Sequence, residues 1–272
     1  MIRILPIFLL LVFAVFDLAG AAPKADIWPR WQAHDEQSTL QVDHAAWAGF
    51  LAGYLVTDRP DGINRLRYGA VSASDRRALT DYLQRLQAVP VSRLNRAEQQ
   101  AFWINLYNAL TVKVVLDHYP VKSIRDINIS PGWFSFGPWD AKLTSIEGEE
   151  ISLNDIEHRI LRPIWRDSRV HYAVNCASLG CPNLLSEPFS AANLDELLDR
   201  GARAYVNHPR GARFDSGRLT VSSIYSWFED DFGGNQQGVL AHLRRFAEPD
   251  LAARLRDFQG RYAHDYDWSL NE

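Results

Sequence analysis

The fourteen residues from Val170 to Asn183, VHYAVNCASLGCPN, hold both cysteines of the 272-residue chain, one of its eight histidines and two asparagines. Four kinds of chemistry start from such a set. A thiolate nucleophile is the first: Cys176 attacks, His171 takes the proton, and Glu157 or Asn105 orients the second ring nitrogen. Backbone amides in the Ala177–Gly180 turn would then receive the oxyanion. Cys176 is favoured over Cys181 because Pro182 follows the latter directly. A disulfide is the second, since four intervening residues including Gly180 let the two sulfurs meet. The C-x4-C spacing differs from the C-x-x-C of thioredoxin-like redox pairs. Zinc held by Cys176, Cys181, His171 and His158 is the third. That spacing matches no common zinc knuckle, so no metal is assigned. Two buried thiols and a satisfied core histidine are the fourth.

The compartment bears on the choice. The chain opens MIRILPIFLLLVFAVFDLAGAAPKAD, with a basic Arg3, an apolar run from Ile4 to Phe16 and a small-x-small signal at Ala19-Gly20-Ala21. This is the pattern of a secretory signal peptide over residues 1–22, and the run falls short of the roughly 20 residues of a membrane span. A periplasmic or secreted protein is expected, with no stable span after cleavage. Thiols there tend to pair. The formal charge of −4 shows no basic excess for nucleic acid. No phosphate loop, dinucleotide fingerprint or other cofactor motif occurs.

Helices must position these groups. The segment NRAEQQAFWINLYNALTVKVVLDHYP is apolar at nearly every position from Ala101 to Leu116, which predicts a helix buried all round and closed by Pro120. Asn95 and Glu98 have capping-box spacing. Asn105 and Asn108 stand at i and i+3 on one face. An unpaired buried amide costs about 1–3 kcal/mol, so both need partners, either a neighbouring loop or a ligand. ISLNDIEHRILRP predicts a helix capped by Ser152 and Asp155 and running to Pro163, with His158 and Arg162 on one face. RVHYAVN alternates like a strand. Helices are also expected over Asp43–Val56, after a Ser74 cap, and over Leu194–Val206. Hairpins are expected at Gly148 and at Asp215–Gly217, and a last strand within RYAHDYDWSLN. Trp133 and Trp139, set among Gly and Pro, read as cleft walls. The whole is an α+β, helix-rich single domain with antiparallel hairpins: an N-terminal extension over residues 23–40, then the domain over 41–272.

AFWINLYNALTVKVVL, ISLNDIEHRILRP, RVHYAVNCASLGCPNL, LTVSSIYSWFEDDFGG and YDWSLN together resemble the DUF547 family, a domain of unknown function found in secreted bacterial proteins and in plant proteins. The resemblance spans about residues 40 to 272, and Asn105, Asn108, Glu157, His158, His171, Asn175, Cys176, Cys181 and Pro182 all fit its pattern. A more distant likeness is to the papain and transglutaminase group of cysteine hydrolases. There a buried helix begins with the nucleophilic Cys and a His follows on a later strand. Here the helix carries Trp103, Asn105 and Asn108 instead, and the thiol follows the histidine.

Two functions follow as expectations. One is a cysteine-dependent hydrolase or acyl transferase acting on an amide- or peptide-like substrate. Its catalytic groups would be Cys176, His171 and Glu157, with Asn105, Asn108, Asn175, Ser178, His158 and Trp133 lining a cleft between the Ala101–Leu116 helix and the His171 strand. The other is a non-catalytic module that binds a small-molecule or peptide-like ligand in the same cleft, with Cys176–Cys181 as a disulfide.

Overall fold

A computed structural model describes residues 23–132 and 136–272. The expected signal peptide and Trp133 lie outside these residues. Among the described residues no helix is long and apolar enough to cross a membrane.

Helix α1 (Ala45–Tyr54) leads into strand β1 (Leu55–Val56), which pairs antiparallel with β2 (Arg65–Leu66). Helix α2 (Ala73–Gln87) is capped by Ser72 rather than the expected Ser74. The Ser72 hydroxyl accepts from the Asp75 amide, and Asp75 is three residues on, the spacing a reciprocal cap requires.

Helix α3 (Arg96–His118) is the axis of the molecule, with every residue from Glu98 to Val112 buried. Asn95 caps it as its spacing predicts, accepting from the Glu98 amide at 2.9 Å. The Glu98 carboxylate does not close the capping box. It accepts instead from the amides of Val42 at 2.7 Å and Ala191 at 2.9 Å, tying two distant segments to the helix start. A buried carboxylate is tolerated there because it receives two backbone donors at a helix N-terminus.

The hairpin of β3 (Thr144–Ile146) and β4 (Glu149–Ile151) turns through Glu147-Gly148, as expected. A π-helical stretch (Asp155–Leu161) follows, continuing into α4 (Arg162–Trp165). Its cap is the expected one: Ser152 and Asp155 exchange side-chain and backbone hydrogen bonds at 2.9 and 3.1 Å. Pro163 does not end the helix but lacks an N–H, so a carbonyl one turn back loses its donor. The carbonyls of His158 and Arg159 accept from the amides of Asp26 and Trp28, at 3.0 and 2.9 Å. The N-terminal segment thus completes the backbone pairing of this helix. It goes on to bury Trp31, which meets Trp103 of α3 edge-on at 4.9 Å.

RVHYAVN is not a strand. Ser168–Tyr172 forms a 3-10 turn capped by Asp167. Residues 170–175 are buried without alternation, so the period-2 pattern had no exposed face to report.

Helix α5 (Leu194–Val206) joins two cores. Its first turns pack with α3, and Ala202, Tyr205 and Val206 pack into a second cluster. The second cluster lies among β5 (Ala212–Asp215), β6 (Arg218–Ser222), α6 (Ser223–Trp227), α7 (Gln236–Phe246), α8 (Pro249–Asp257) and β7 (Ala263–Asp265). Strands β5 and β6 are the expected hairpin, and β7 joins β6 in parallel. The result is an α+β, helix-rich domain with small sheets.

Because Trp31 fills the main core, Trp31→Ala should lower the urea-unfolding free energy by about 3–5 kcal/mol. A loss under about 1 kcal/mol would mean that the N-terminal extension is peripheral to the fold.

Candidate functional site

The carboxamide of Asn108 imitates a strand. Its Nδ2 donates to the Ala173 carbonyl at 2.9 Å, and its Oδ1 accepts from the Asn175 amide at 2.8 Å. Asn105 grips Phe189 the same way, donating to its carbonyl at 2.7 Å and accepting from its amide at 3.0 Å. The two asparagines are spent on chain segments, and those segments fill the space where a cleft between α3 and His171 was expected.

Asn175 carries the grip into the sulfur-bearing turn. Its Nδ2 donates to the Pro182 carbonyl at 2.7 Å and its Oδ1 accepts from the Ala177 amide at 2.9 Å, so both ends of the turn are held by one side chain. Ala177 takes a left-handed conformation, φ 58°, which an L side chain rarely adopts. Arg210 fixes the outer side, donating to the carbonyls of Leu179 and Cys181 at 2.8 and 2.6 Å. The C-terminal segment lies along the turn through Leu179 N to Ser269 O and Gly180 N to Asp267 O, both 2.8 Å. Gly180 is required there: a Cβ would stand 2.8 Å from the Asp267 nitrogen.

This closure brings the sulfurs together. Cys176 and Cys181 are both free thiols, 3.2 Å apart and unbonded. Cys181 is buried, and its sulfur accepts from the Cys176 amide at 3.0 Å; Cys176 is partly exposed. Around the Cys176 sulfur stand the Cys181 thiol, the Ser178 hydroxyl at 3.2 Å and the Tyr266 hydroxyl at 3.1 Å. The hydrogen bond from Cys181, then those from Ser178 and Tyr266, lower the Cys176 pKa despite burial and the opposing charge of Glu157. Burial, and then the Cys176 charge, push Cys181 well above the usual thiol range.

His171 is not hydrogen-bonded to this pair. Its Nε2 meets Asp231 Oδ2 at 2.7 Å, its Nδ1 faces Glu157 Oε1 at 3.8 Å, and its ring stacks on Phe228 at 4.5 Å. Glu157 also accepts from the Tyr107 hydroxyl at 3.1 Å. Arg162, buried, reaches Asp231 at 2.5 Å and His158 Nδ1 at 3.0 Å. An arginine only donates, so His158 Nδ1 accepts and its ring is neutral. Burial, then the neighbouring Arg162 charge, lower its pKa to about 4, against a partial rise from Glu157. Burial opposes ionisation of Asp231, but hydrogen bonds from His171 and Arg162 hold its carboxyl well below the usual range.

The expected residues therefore fall into two neighbouring groups. Cys176, Cys181, Asn175 and Ser178 share the turn; Glu157, His158 and His171 share a buried ionic cluster with Arg162 and Asp231. The four ligands of the zinc reading do not converge, and among the described residues no three His, Cys, Asp or Glu are gathered to hold a metal. The oxyanion reading of the turn narrows to the Ser178 amide. The amides of Ala177, Leu179 and Gly180 are already donating, to Asn175, Ser269 and Asp267. Three residues escaped the sequence reading: Tyr266, Tyr107 and Asp231. Only the position of Tyr266, next to paired acids in a terminal alternating segment, hinted at a contact. Half-buried aromatics extend from it, with Trp227 at 4.8 Å and Trp268 at 4.8 Å, and Trp139 meeting Trp268 at 5.8 Å.

The family model for DUF547, a protein of unknown function, matches residues 91–206. That stretch runs from the approach to α3 through the thiol turn to the end of α5. The match supports the DUF547 resemblance over this segment, which is narrower than the span over which the resemblance was read. No curated protein and no solved structure matches the chain.

Two predictions follow from the clamp and the buried imidazoles. Asn108→Ala strands a buried carbonyl and a buried amide, so unfolding free energy should fall by roughly 2–4 kcal/mol, and the Cys176 thiolate should form at higher pH. An unchanged Cys176 titration would dissociate the clamp from the thiol pair. His44, His158 and His242 are each lowered from 6.5 to about 4, first by burial. The unfolded chain then binds protons that the native state refuses, so stability is full above about pH 6.5 and declines as pH falls toward 4. Unfolding free energies from urea titrations at pH 7.5 and pH 5 should differ by roughly 1–2 kcal/mol for each imidazole; equal values would contradict neutral burial.

Proposed function

We propose that this protein is an exported thiol enzyme whose covalent nucleophile is Cys176. One observation carries the reading: a thiol and two hydroxyls stand 3.1–3.2 Å from a partly exposed sulfur, and the Tyr266 hydroxyl, which accepts from Ser178 at 3.0 Å, is placed to donate to its thiolate. A thiolate is the reactive form of cysteine, and hydroxyl and thiol donors stabilise it without a histidine base. Export rests on the signal-like residues 1–22, which also put the thiols in an oxidising compartment.

Hydrolysis of, or acyl transfer from, an amide- or peptide-like substrate is one use of such a thiolate. The Glu157–His171–Asp231 group lies near enough for the Glu157 charge to reach Cys176, but that charge opposes the thiolate. Tyr266, within hydrogen-bond reach of the sulfur, would protonate the leaving group. The engaged amides of Ala177, Leu179 and Gly180 weigh against it, since they leave a tetrahedral oxyanion only the Ser178 amide of that turn. A non-catalytic binding module with Cys176 and Cys181 locked as a disulfide draws support from the same short sulfur separation.

Alkylation separates the thiol enzyme from the inert module. In protein reduced with dithiothreitol and desalted, the rate of iodoacetamide capture at Cys176 should rise with a midpoint below the roughly 8.5 of a free cysteine. Tyr266→Phe should move that midpoint up by about one unit. A midpoint at or above that of a free cysteine would leave the non-catalytic module as the better account.

A further inference from the structure

The nucleophile reading names an attacking atom, and the neighbouring groups say what it is equipped to attack. Carbonyl chemistry needs an oxyanion donor and a base on the sulfur. The amides of Ala177, Leu179 and Gly180 are engaged, and His171 is committed to Asp231. What the site does possess is a second sulfur. Cys181 lies 3.2 Å from Cys176, on the buried side, while Cys176 faces outward. The carboxamide of Asn175 and the guanidinium of Arg210 hold the two ends of the turn, so the approach of one sulfur to the other costs little further ordering. This is the arrangement of an outer attacking thiol and an inner resolving thiol.

We propose that the pair carries out thiol–disulfide exchange, with Cys176 as attacking thiol, Cys181 as resolving thiol and a disulfide as substrate. The proposal rests on the nucleophile reading and names its electrophile. In the first step the Cys176 thiolate attacks one sulfur of the substrate disulfide. A mixed disulfide forms, and the other substrate sulfur leaves as thiolate. In the second step the Cys181 sulfur attacks Cys176, its proton passing to the departing second substrate sulfur. The Cys176–Cys181 disulfide forms as the mixed disulfide breaks. The substrate disulfide gains two electrons and becomes two thiols; the protein dithiol loses two and becomes a disulfide. An external dithiol returns the protein to its starting state by the reverse exchange.

The chemical asymmetry fits these roles. Hydrogen bonds lower the outer thiol, making it both attacking group and good leaving group, while burial keeps the inner thiol protonated until the mixed disulfide forms. The Tyr266 hydroxyl reaches Cys176 at 3.1 Å and lines a groove of about 830 Å³ that also includes Leu179, Gly180, Lys122 and Trp268. Neither sulfur lines the groove, so a substrate chain lying in it would reach Cys176 past Tyr266.

The test is incubation of the reduced full-length mature protein with glutathione disulfide, followed by acid quench and intact mass. The wild type should lose two hydrogens and hold no glutathione. Cys181→Ser should keep one glutathione, mapped to Cys176, and Cys176→Ser should hold none in the same time. Reduction of a disulfide-bonded peptide by the wild type, read by free-thiol release, extends the substrate from a small disulfide to a peptide one. Wild type that accumulates the glutathione adduct without losing it would overturn the resolving role and leave the nucleophile reading intact. Absence of any adduct in Cys181→Ser, in protein whose circular dichroism matches wild type, would remove both.

Discussion

Asn108 reaches out of a helix that has no exposed face and takes hold of the chain on both sides of Val174. Its amide gives one hydrogen bond and receives another, the pair of contacts a neighbouring strand would offer, so the segment needs no sheet. Asn175 is fixed as a result, and its own carboxamide spans the turn to Pro182. The left-handed Ala177, the close passage of Asp267 over Gly180 and the contact between the two sulfurs all lie inside that span. The other ties on the inner side, from the Cys176 amide to the Cys181 sulfur at 3.0 Å and from Asn271 Nδ2 to Asn175 Oδ1 at 3.4 Å, lie within the span that this grip positions. The turn is a case of local strain held by its surroundings at the place where reactive groups meet.

A second constraint sits behind the first. Glu157, His158, Arg162, His171 and Asp231 form an ionic group enclosed by Phe228 and Phe232. Buried charges persist only when each finds partners, and here each does. The N-terminal segment completes the group: Arg162 also donates to the Pro23 carbonyl at 2.8 Å, next to the two backbone bonds that fill the carbonyls of His158 and Arg159. Pro163, lacking an N–H, leaves one of these carbonyls open to the N-terminal segment. The cluster lies close enough for the Glu157 charge to oppose thiolate formation at Cys176. The sulfur's activation therefore comes from the hydroxyls and the second thiol, against the field of the acid.

The helices were legible because their signals are local. Asn95 caps α3 and Ser152 with Asp155 caps the π-helical stretch, and the amphipathic stripe of Leu194–Val206 set the bounds of α5. The misreadings came from long-range partners. Ser72 and Ser74 are equally good caps by type, and only the position of Asp75 and Tyr54 selects the first. RVHYAVN alternates in sequence, yet burial on every side erased the meaning of alternation. At the site, the concentration of chemistry around the two cysteines was visible in spacing alone. The pairing of His171 with Asp231, sixty positions apart, and of Cys176 with Tyr266, ninety apart, was not, since nothing local encodes either contact.

The central claim is that the fold, and not the short spacing of the cysteines, holds the two sulfurs in contact. The effective concentration of the pair, measured against glutathione at equilibrium in the native protein and again in urea, tests it most directly. A value in the native protein higher by about a hundredfold or more is the expected result. Equal values in the two states would show that the turn is not organised by its clamp, and would contradict the account.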